Sequence, residues 1–586
     1  MNIIGISAFF HDSACCLLQD GVIKAAAEEE RFTRIKADPS LPEYAFKYCL
    51  REAGLTIGDI DCIAYYENPR KKLARQLWSG VLAQSPDLLD RADPGHVETQ
   101  IREILGYDGL IRYAEHHMSH AASSYYFSGF TESAVFTVDG VGEWATTTYG
   151  VGSGHELSLF EEVEFPDSLG LLYSTITSYL GFGVNDGEYK VMGLAPYGKP
   201  AYVDKIEQLI TQHPKGQYRL NMKYFGFLAG DRMYSEHLAA LLGKPPRKED
   251  SKLEQFHSDV AKSLQVVLEQ IELDKVNYLY ERTGSDNLCM AGGVALNCVA
   301  NGQLLRKGPF KRLFVQPAAN DAGCSIGAAA LAHVALTGQS PSNGKLAHVY
   351  LGPSSTSKQI YSFLLSTPIR YKDCRGDTEG LLAYTAQKLN EGKVIGWFSG
   401  RMEFGPRSLG ARSILADPRR PEMRDRINAM VKKREGFRPF APAVLREKAQ
   451  EHFDLDHDSP YMLETCQVVS SLALPAITHV DGSARVQTVD RETKSRFYDL
   501  LAAFEKISGC PILLNTSFNV KGEPIVCTPE DALQCFIKSD IDLLVLEDFI
   551  IDREENEFDL FKFMMERMEM REIREGGIRH DVYTFI

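Results

Sequence analysis

Three short apolar stretches open the chain, NIIGIS, SACCLLQ and VIKAAAEEE, and their length and composition predict strands. The dipeptide Asp20-Gly21 between the second and third predicts a type I′ hairpin, because both of its residues tolerate positive φ. The pattern returns at ESAVFTVDG, EWATTTYGVG and LSLFEEVEF, with Asp139-Gly140 and Gly152-Ser153-Gly154 at the turns. Two such units predict an internal duplication. Helical stretches follow each of them, LPEYAFKYCLREAGL and SLGLLYSTITSYLGFG, so strands feed helices in an α/β order.

Further on, SDNLCMAGGVALNCVANGQLL and KRLFVQPAANDAGCSIGAAALAHVAL each read as a strand, a Gly-rich turn and a helix of small residues. Such turns aim backbone N–H groups and a helix N-terminus at an anion, which makes Gly292, Gly293 and Asn297 candidates for holding a cofactor. The whole succession is typical of actin-like, sugar-kinase-like folds. Gly, Ser, Pro and Asn then cluster in TGQSPSNGK, residues 337 to 345, and predict a linker with a second α/β domain beginning near Val349. The expected division is 1–345 and 346–586.

Composition narrows the function classes. A chain of 586 residues with 44% hydrophobic content can bury more than one core. Twelve cysteines without a C-x-x-C pair, two of them adjacent (Cys15 and Cys16), suit neither a disulfide framework nor a zinc ribbon and point to a reducing compartment. The N-terminus has no basic n-region and no apolar run reaches ~18 residues, so a soluble cytoplasmic protein is expected, with no membrane partner. A net charge of -15 disfavours a broad nucleic-acid surface and leaves small molecules as the expected substrates.

Two constellations carry chemistry. In AEHHMSHAASSYYF, His116 and His120 stand four apart among helix formers, so their imidazoles lie on one face and can share a metal. The missing ligands would come from elsewhere, Asp139, ending the strand AVFTVD, and Asp321, in the loop AANDAG, and two imidazoles with two carboxylates suit Fe, Mn or Zn rather than calcium. A pair at this spacing is also compatible with plain packing, and His117 confuses the register. The second constellation spans residues 401 to 438, where 11 Lys or Arg face five acids for a local net of +6. Arginine forks and a lysine point charge are the usual tools for phosphate oxygens. Arg419, Arg420, Arg424 and Arg426 read as a solvated charged helix, whereas GRMEFGPRSLGARS and REGFRPFAP interleave their cations with Gly, Pro and Phe in tight turns.

The blocks GISAFFHDSA, EEERFTR, EHHMSHAAS, GEYKVMGLAPYG, GGVALN, FGPRSLGARSIL, KKREGFRPFAP and NTSFN, in this order from residue 5 to 519, closely resemble the NodU/CmcH-type O-carbamoyltransferases. That resemblance implies an N-terminal domain like the actin-like (ASKHA) metal-dependent transferase of tRNA threonylcarbamoyl modification. It implies a C-terminal twisted-sheet domain like that pathway's carbamoyl-adenylate-forming (YrdC-like) partner. Carbamoyl phosphate and ATP, with Mg, would yield carbamoyl-adenylate in the second domain, and the first would pass the carbamoyl group to a hydroxyl of a small-molecule or natural-product acceptor, as in antibiotic biosynthesis. By the same resemblance His116, His120, Asp139 and Asp321 match the metal ligands, with divalent iron the expected ion. Lys432, Arg438, Ser517 and Asn519 match the adenylate-forming motif, and Arg407 with Arg485 completes the cation set. His11 and Lys36 fall where the family places polar groups of the transfer site, with His11 as proton acceptor or carbonyl polariser.

After Arg34 the chain reads IKADPSLPEY, where relatives carry a second lysine and a histidine, which leaves the role of Lys36 open. Glu188 and Lys190 are further polar candidates that a strand-end ion pair would also explain. The C-terminal run DREENEFDLFKFMMERMEMREIREGG reads as a packed terminal helix. An actin-like kinase or ATPase would leave Lys432, Ser517 and Asn519 without purpose. A fused tRNA-modifying enzyme predicts a cationic surface, and a nucleotide-sensing regulator would lack ligands that are all present here. The acceptor and the oligomeric state, a homodimer being one option, stay undetermined by the sequence.

Overall fold

A computed structural model of the protein describes residues 1–80, 92–228, 232–249, 251–341, 345–432 and 436–558, with the backbone alone at Lys432. The terminal helix expected after residue 558 lies outside the described residues. Among the described residues the chain forms two compact units, one comprising Met1–Thr33 and Ala37–Leu346, the other Arg34–Lys36 and residues 347–558. Both are mixed α/β.

Two five-stranded sheets organise the first unit. One holds β1 (Asn2–Ser7), β2 (Ala14–Gln19), β3 (Val22–Glu28), β4 (Cys62–Tyr65) and β5 (Leu110–Tyr113) in the order β3-β2-β1-β4-β5. The other holds β6 (Glu132–Val138), β7 (Ala145–Ser153), β8 (Glu156–Glu164), β11 (Asn287–Ala291) and β12 (Arg312–Val315) in the order β12-β11-β6-β7-β8. In each, the first strand pairs antiparallel with the next in sequence and parallel with the fourth, so one topology is built twice. At the first hairpin Gln19 faces Val22, and Asp20 and Gly21 both take positive φ, the geometry a type I′ turn requires. β1 is buried on both faces from Ile3 to Ser7, which explains its unbroken apolar run. β8 sits at a sheet edge and alternates exposed and half-buried positions. A minor ribbon pairs β9 (Ile210–Gln212) with β10 (Tyr218–Leu220).

The helix Asp321–Thr337 packs on β1 and β2 and along the helix His116–Tyr125. Glycine sets both approaches. A Cβ on Gly5 would lie 1.8 Å from the Ser325 carbonyl oxygen, and one on Gly327 would lie 1.8 Å from that of Ser119. The first sets how closely the helix carrying Asp321 meets β1, and the second how closely it meets the helix carrying the histidines.

The second unit is an eight-stranded sheet of β13 (Lys372–Asp373), β14 (Ile395–Phe398), β15 (Arg412–Ala416), β16 (Ala441–Leu445), β19 (Gln487–Val489), β20 (Ile512–Ser517), β21 (Leu543–Leu546) and β22 (Phe549–Asp552). Their order is β13-β22-β21-β14-β15-β20-β16-β19, and a separate ribbon pairs β17 (Cys466–Gln467) with β18 (Ser483–Ala484). The helices Thr378–Asn390 and Ser495–Ser508 pack together, and Trp397, Phe398, Phe497 and Phe504 belong to the core between sheet and helices. Among the described residues no helix is long and apolar enough to cross a membrane. All twelve cysteines are buried free thiols.

Candidate active site

The helix His116–Tyr125 begins at its first candidate ligand. Its first backbone N–H is donated to the buried Glu143 carboxylate, at 3.0 and 3.1 Å to the two oxygens, and Asn68 N donates to the same group. Glu143 therefore anchors the helix start that sets the position of His116, a role with no signal in the sequence. One turn on, His120 presents Nε2 from the same face. His117 is turned away, with Nδ1 bonded to Thr137 Oγ1 at 2.6 Å, which resolves the ambiguity of three histidines in five positions.

Asp139 follows directly on β6, and Asp321 opens its helix. His116 Nε2 lies 3.2 Å from Asp139 Oδ2 and 3.7 Å from Asp321 Oδ1, while His120 Nε2 lies 3.6 Å from each. Donors bound at ~2.1 Å in a tetrahedron stand about 3.4 Å apart, so these separations suit one ion among the four side chains. All four are almost fully buried, and His120 Nε2 and both Asp321 oxygens make no hydrogen bond within the protein. Buried polar atoms without partners are expensive, and a shared cation would satisfy this set. The residues fit a divalent metal.

The electrostatics agree. Burial would lower the pKa of His120, yet Cys324, Asp139 and Asp321 around it raise it well above the ordinary imidazole value. Burial works against ionisation of Asp139, yet His116 and His120 hold its carboxyl well below the usual range. His11, which is desolvated but lies 3.0 Å from Asp12 and 4.0 Å from Asp321, is pushed up to about 9. The two carboxylates thus favour positive charge on His120 and His11.

Gly292 and Gly293 serve this cluster. Gly292 takes φ 100°, and a Cβ there would lie 2.1 Å from the Val138 carbonyl oxygen. The Gly293 N–H, expected to face an anion, is donated to Asp139 Oδ1 at 2.7 Å, so the turn holds a candidate metal ligand in place. Asn297 is committed as well: its Oδ1 caps the helix Cys298–Lys307 through Ala300 N and accepts from Gln265, and its Nδ2 donates back to Gln265. Lys36 is exposed and falls in the Arg34–Lys36 segment that groups with the second unit. Glu188 is no strand-end ion pair. It opens the helix Glu188–Leu194 and accepts from Ser174 Oγ and from the N–H groups of Asn185 and Gly187.

In the second unit, register gathers the candidates at one end of the sheet. Ser517, closing β20, pairs with Ser413 at the start of β15, which follows the Arg407 loop. Ala441, opening β16 three residues after Arg438, pairs with Asn515 of β20, and β19, two residues after Arg485, runs parallel beside β16. Arg407, Arg438, Arg485, Ser517 and Asn519 are all half-buried there. Ser517 Oγ donates to Asn519 Oδ1 at 2.7 Å, and Asn519 Nδ2 donates to the Glu523 carbonyl at 2.7 Å. Lys432 ends a π-helical turn, Asn428–Lys432, and its side chain lies outside the described residues, as do Lys433, Arg434 and Glu435.

The Arg407 loop is rigidly held. Glu403 Oε1 accepts from the N–H groups of Leu409, Ala411 and Arg412 at 2.6, 2.7 and 3.4 Å, and the Leu409 carbonyl accepts from Tyr350 and Gln487. Lys494 donates to the Ser399 carbonyl, and desolvation pushes its pKa down to about 8. Several cations of the basic window have structural duties. Arg412 is fully buried, donates to the carbonyls of Gly400, Ala411 and Pro353, and lies 3.5 Å from the Phe398 ring centre. Arg419 forks onto Asp417 and Arg426 donates from Nη2 to both oxygens of Asp542, so the stretch read as a solvated helix is an ion-paired seam with one short helix, Met423–Ile427. A cavity of about 890 Å³ in this unit is lined by Arg446, Asp458, Asp490 and Tyr498 among others, and by none of the predicted cations.

The model of the carbamoyltransferase N-terminus matches residues 2–330, and that of the carbamoyltransferase C-terminus matches residues 386–553. An uncharacterized protein of Synechocystis sp. is 46% identical, over 94% of this chain and 96% of its own length. Nodulation protein NolNO of Sinorhizobium fredii is 41% identical, over 93% of this chain and 80% of its own. Among solved structures, T. kodakarensis HypF aligns with 59% of this chain and 49% of its own at 13% identity and a TM-score of 0.32, too low for a common fold to be read from it.

Proposed function

This chain belongs to the carbamoyltransferase family and is a carbamoyltransferase, and from that premise we propose that it works as an ATP-dependent O-carbamoyltransferase with one stage in each unit. In the second unit water cleaves carbamoyl phosphate to carbamate and phosphate, and a carbamate oxygen then attacks the α-phosphorus of Mg-ATP to give carbamoyl-adenylate and pyrophosphate. In the first, the carbamoyl group passes to a hydroxyl of a small-molecule or natural-product acceptor and AMP leaves. The twice-built strand order supports an actin-like reading of the first unit, and the second is assigned as YrdC-like.

The observation that carries the reading is the convergence of His116, His120, Asp139 and Asp321, with donor separations of 3.2 to 3.7 Å and no hydrogen-bond partner for His120 Nε2 or the Asp321 oxygens. A divalent ion held there, iron by family resemblance, would supply Lewis-acid polarisation of the carbamoyl carbonyl. The protein's own groups do the rest. His11, kept protonated by Asp321 and Asp12, is placed to polarise the carbamoyl carbonyl by donating a hydrogen bond. Gly293 fixes Asp139, and Glu143 fixes the start of the histidine helix. In the second unit Arg407, Arg438 and Arg485, with Lys432, offset phosphate charge and align the α-phosphorus, while Ser517 and Asn519 present hydroxyl and amide groups from the adjoining strand end.

The test is pyrophosphate release from ATP by the purified protein with carbamoyl phosphate and no acceptor, with mass spectrometry for carbamoyl-adenylate. Release that depends on carbamoyl phosphate is the expected result. Formation of ADP instead would make the chain a kinase-like enzyme and overturn the adenylate step.

A further inference from the structure

The metal-site reading accounts for two imidazoles and two carboxylates, but a fifth donor stands in the same cluster. Cys324 lies one turn beyond Asp321 on the helix Asp321–Thr337, at the i+3 position that shares its face. Ligand atoms of His116, His120, Asp321 and Cys324 all lie within 4.8 Å of one another, and all four residues are buried. The other eleven cysteines are buried too, yet Cys324 is the one that joins a ligand cluster among the described residues, so burial alone does not explain its placement. The close approach that Gly327 permits at Ser119 sets the thiol against the histidine helix. The unpartnered Nε2 of His120 and the unpartnered Asp321 oxygens bound the same space.

We propose that Cys324 is a ligand of this metal centre, binding a thiophilic divalent ion as the thiolate alongside His116, His120 and Asp321. The metal–sulfur bond forms as the thiol proton is released to solvent, so metal uptake releases one proton at this residue. A thiolate shifts the site's preference from a hard oxygen-liganded ion toward zinc, cobalt or iron. The inference rests on the metal-site reading above, and its test separates the two.

The full-length protein is stripped with a chelator and titrated with Co(II), and the absorption spectrum is followed for the wild type, Cys324→Ser, Cys324→Ala and His120→Ala. The expected result is a sulfur-to-cobalt charge-transfer band in the near ultraviolet for the wild type, lost in both cysteine variants while the visible cobalt bands remain. Zinc affinity should fall at least about tenfold in Cys324→Ala. Cys324→Ser keeps the size of the side chain and guards against a folding defect in Cys324→Ala. A wild-type cobalt spectrum without the sulfur band overturns the proposal and leaves the His and Asp site standing, as does a band that persists in Cys324→Ser. Failure of the wild type to bind cobalt more tightly than His120→Ala overturns both.

Discussion

In the first unit the candidate ligands come from two helices and a strand end and have little but one another to bond to, whereas in the second the arginines come from loops, a strand and a short helix and several are already committed to backbone carbonyls or acids. The contrast separates two ways of building charge into a fold. A buried cluster of carboxylates and imidazoles makes an unmet demand for a cation, so its function can be read from the atoms left without partners. A cationic window makes no such statement, because Arg412, Arg419 and Arg426 carry the same side chain as Arg407 and yet hold the chain together.

The strongest way to break this comparison is to remove one ligand from the first unit. His120→Ala or Asp321→Asn should take bound metal from about one equivalent to near none and lower carbamoyl transfer at least about 100-fold. Pyrophosphate release, assigned to the other unit, should continue. Metal analysis beside the two half-reactions checks this, and loss of both half-reactions together would remove the division of labour.

A pair of arginines tests the second half. Arg407→Ala should lower carbamoyl-phosphate-dependent pyrophosphate release by about 100-fold, the cost of losing a preorganised charge partner, with an unchanged urea midpoint. Arg412→Ala should do the reverse first, destabilising the fold by about 3 kcal/mol because three carbonyls lose their donor in the core. Equal stability effects in the two variants would mean that burial does not distinguish structural from functional arginines here. Glu403→Gln sits between them. It keeps the shape of the side chain but weakens three bonds from backbone N–H groups, at roughly 1.5–3 kcal/mol, and should raise the KM for ATP by loosening the Arg407 loop.

How much of this was legible depends on the same distinction. Periodicity suffices for His116 and His120, since a helix fixes where i and i+4 point, and the Asp20-Gly21 turn carries its own φ requirement. Asp139 was visible as a strand end. The role of Gly293 was not, because a Gly-rich turn offers N–H groups without saying to what, and here the recipient is a carboxylate 154 residues earlier in the chain. Glu143 left no trace for the same reason: its partners, the N–H groups of Asn68 and His116, are defined only by the packing of the two segments. Cys324 was hidden by its surroundings, a run of small residues in which a thiol reads as filler. In the basic window, residue type could not single out Arg412 as structural, since the carbonyls of Gly400, Ala411 and Pro353 that it bonds meet it only in the fold.

The smallest effect sharpens the rule about atoms without partners. Glu272, in the middle of the helix Gln255–Thr283, is buried, and neither of its carboxyl oxygens makes a hydrogen bond, as with Asp321. It belongs to no cluster of metal-ligating groups among the described residues. Burial, reinforced by Glu269, instead pushes its pKa up to about 8, so it is neutral at pH 7 where Asp139 is held ionised. The sign follows from a folded-state pKa above the unfolded one: the contribution is fully present below the unfolded value near 4.5 and is lost as pH rises through about 8. Between pH 7 and 9 this costs roughly 1.4 kcal/mol of stability, the work of ionising one such group. Glu272→Gln should therefore flatten the alkaline fall of the urea midpoint by that amount while leaving metal content and both half-reactions unchanged. If metal content fell instead, a lone buried carboxyl would count as a ligand, and the convergence of donors at His116, His120 and Asp321 would lose its value as the criterion for a site.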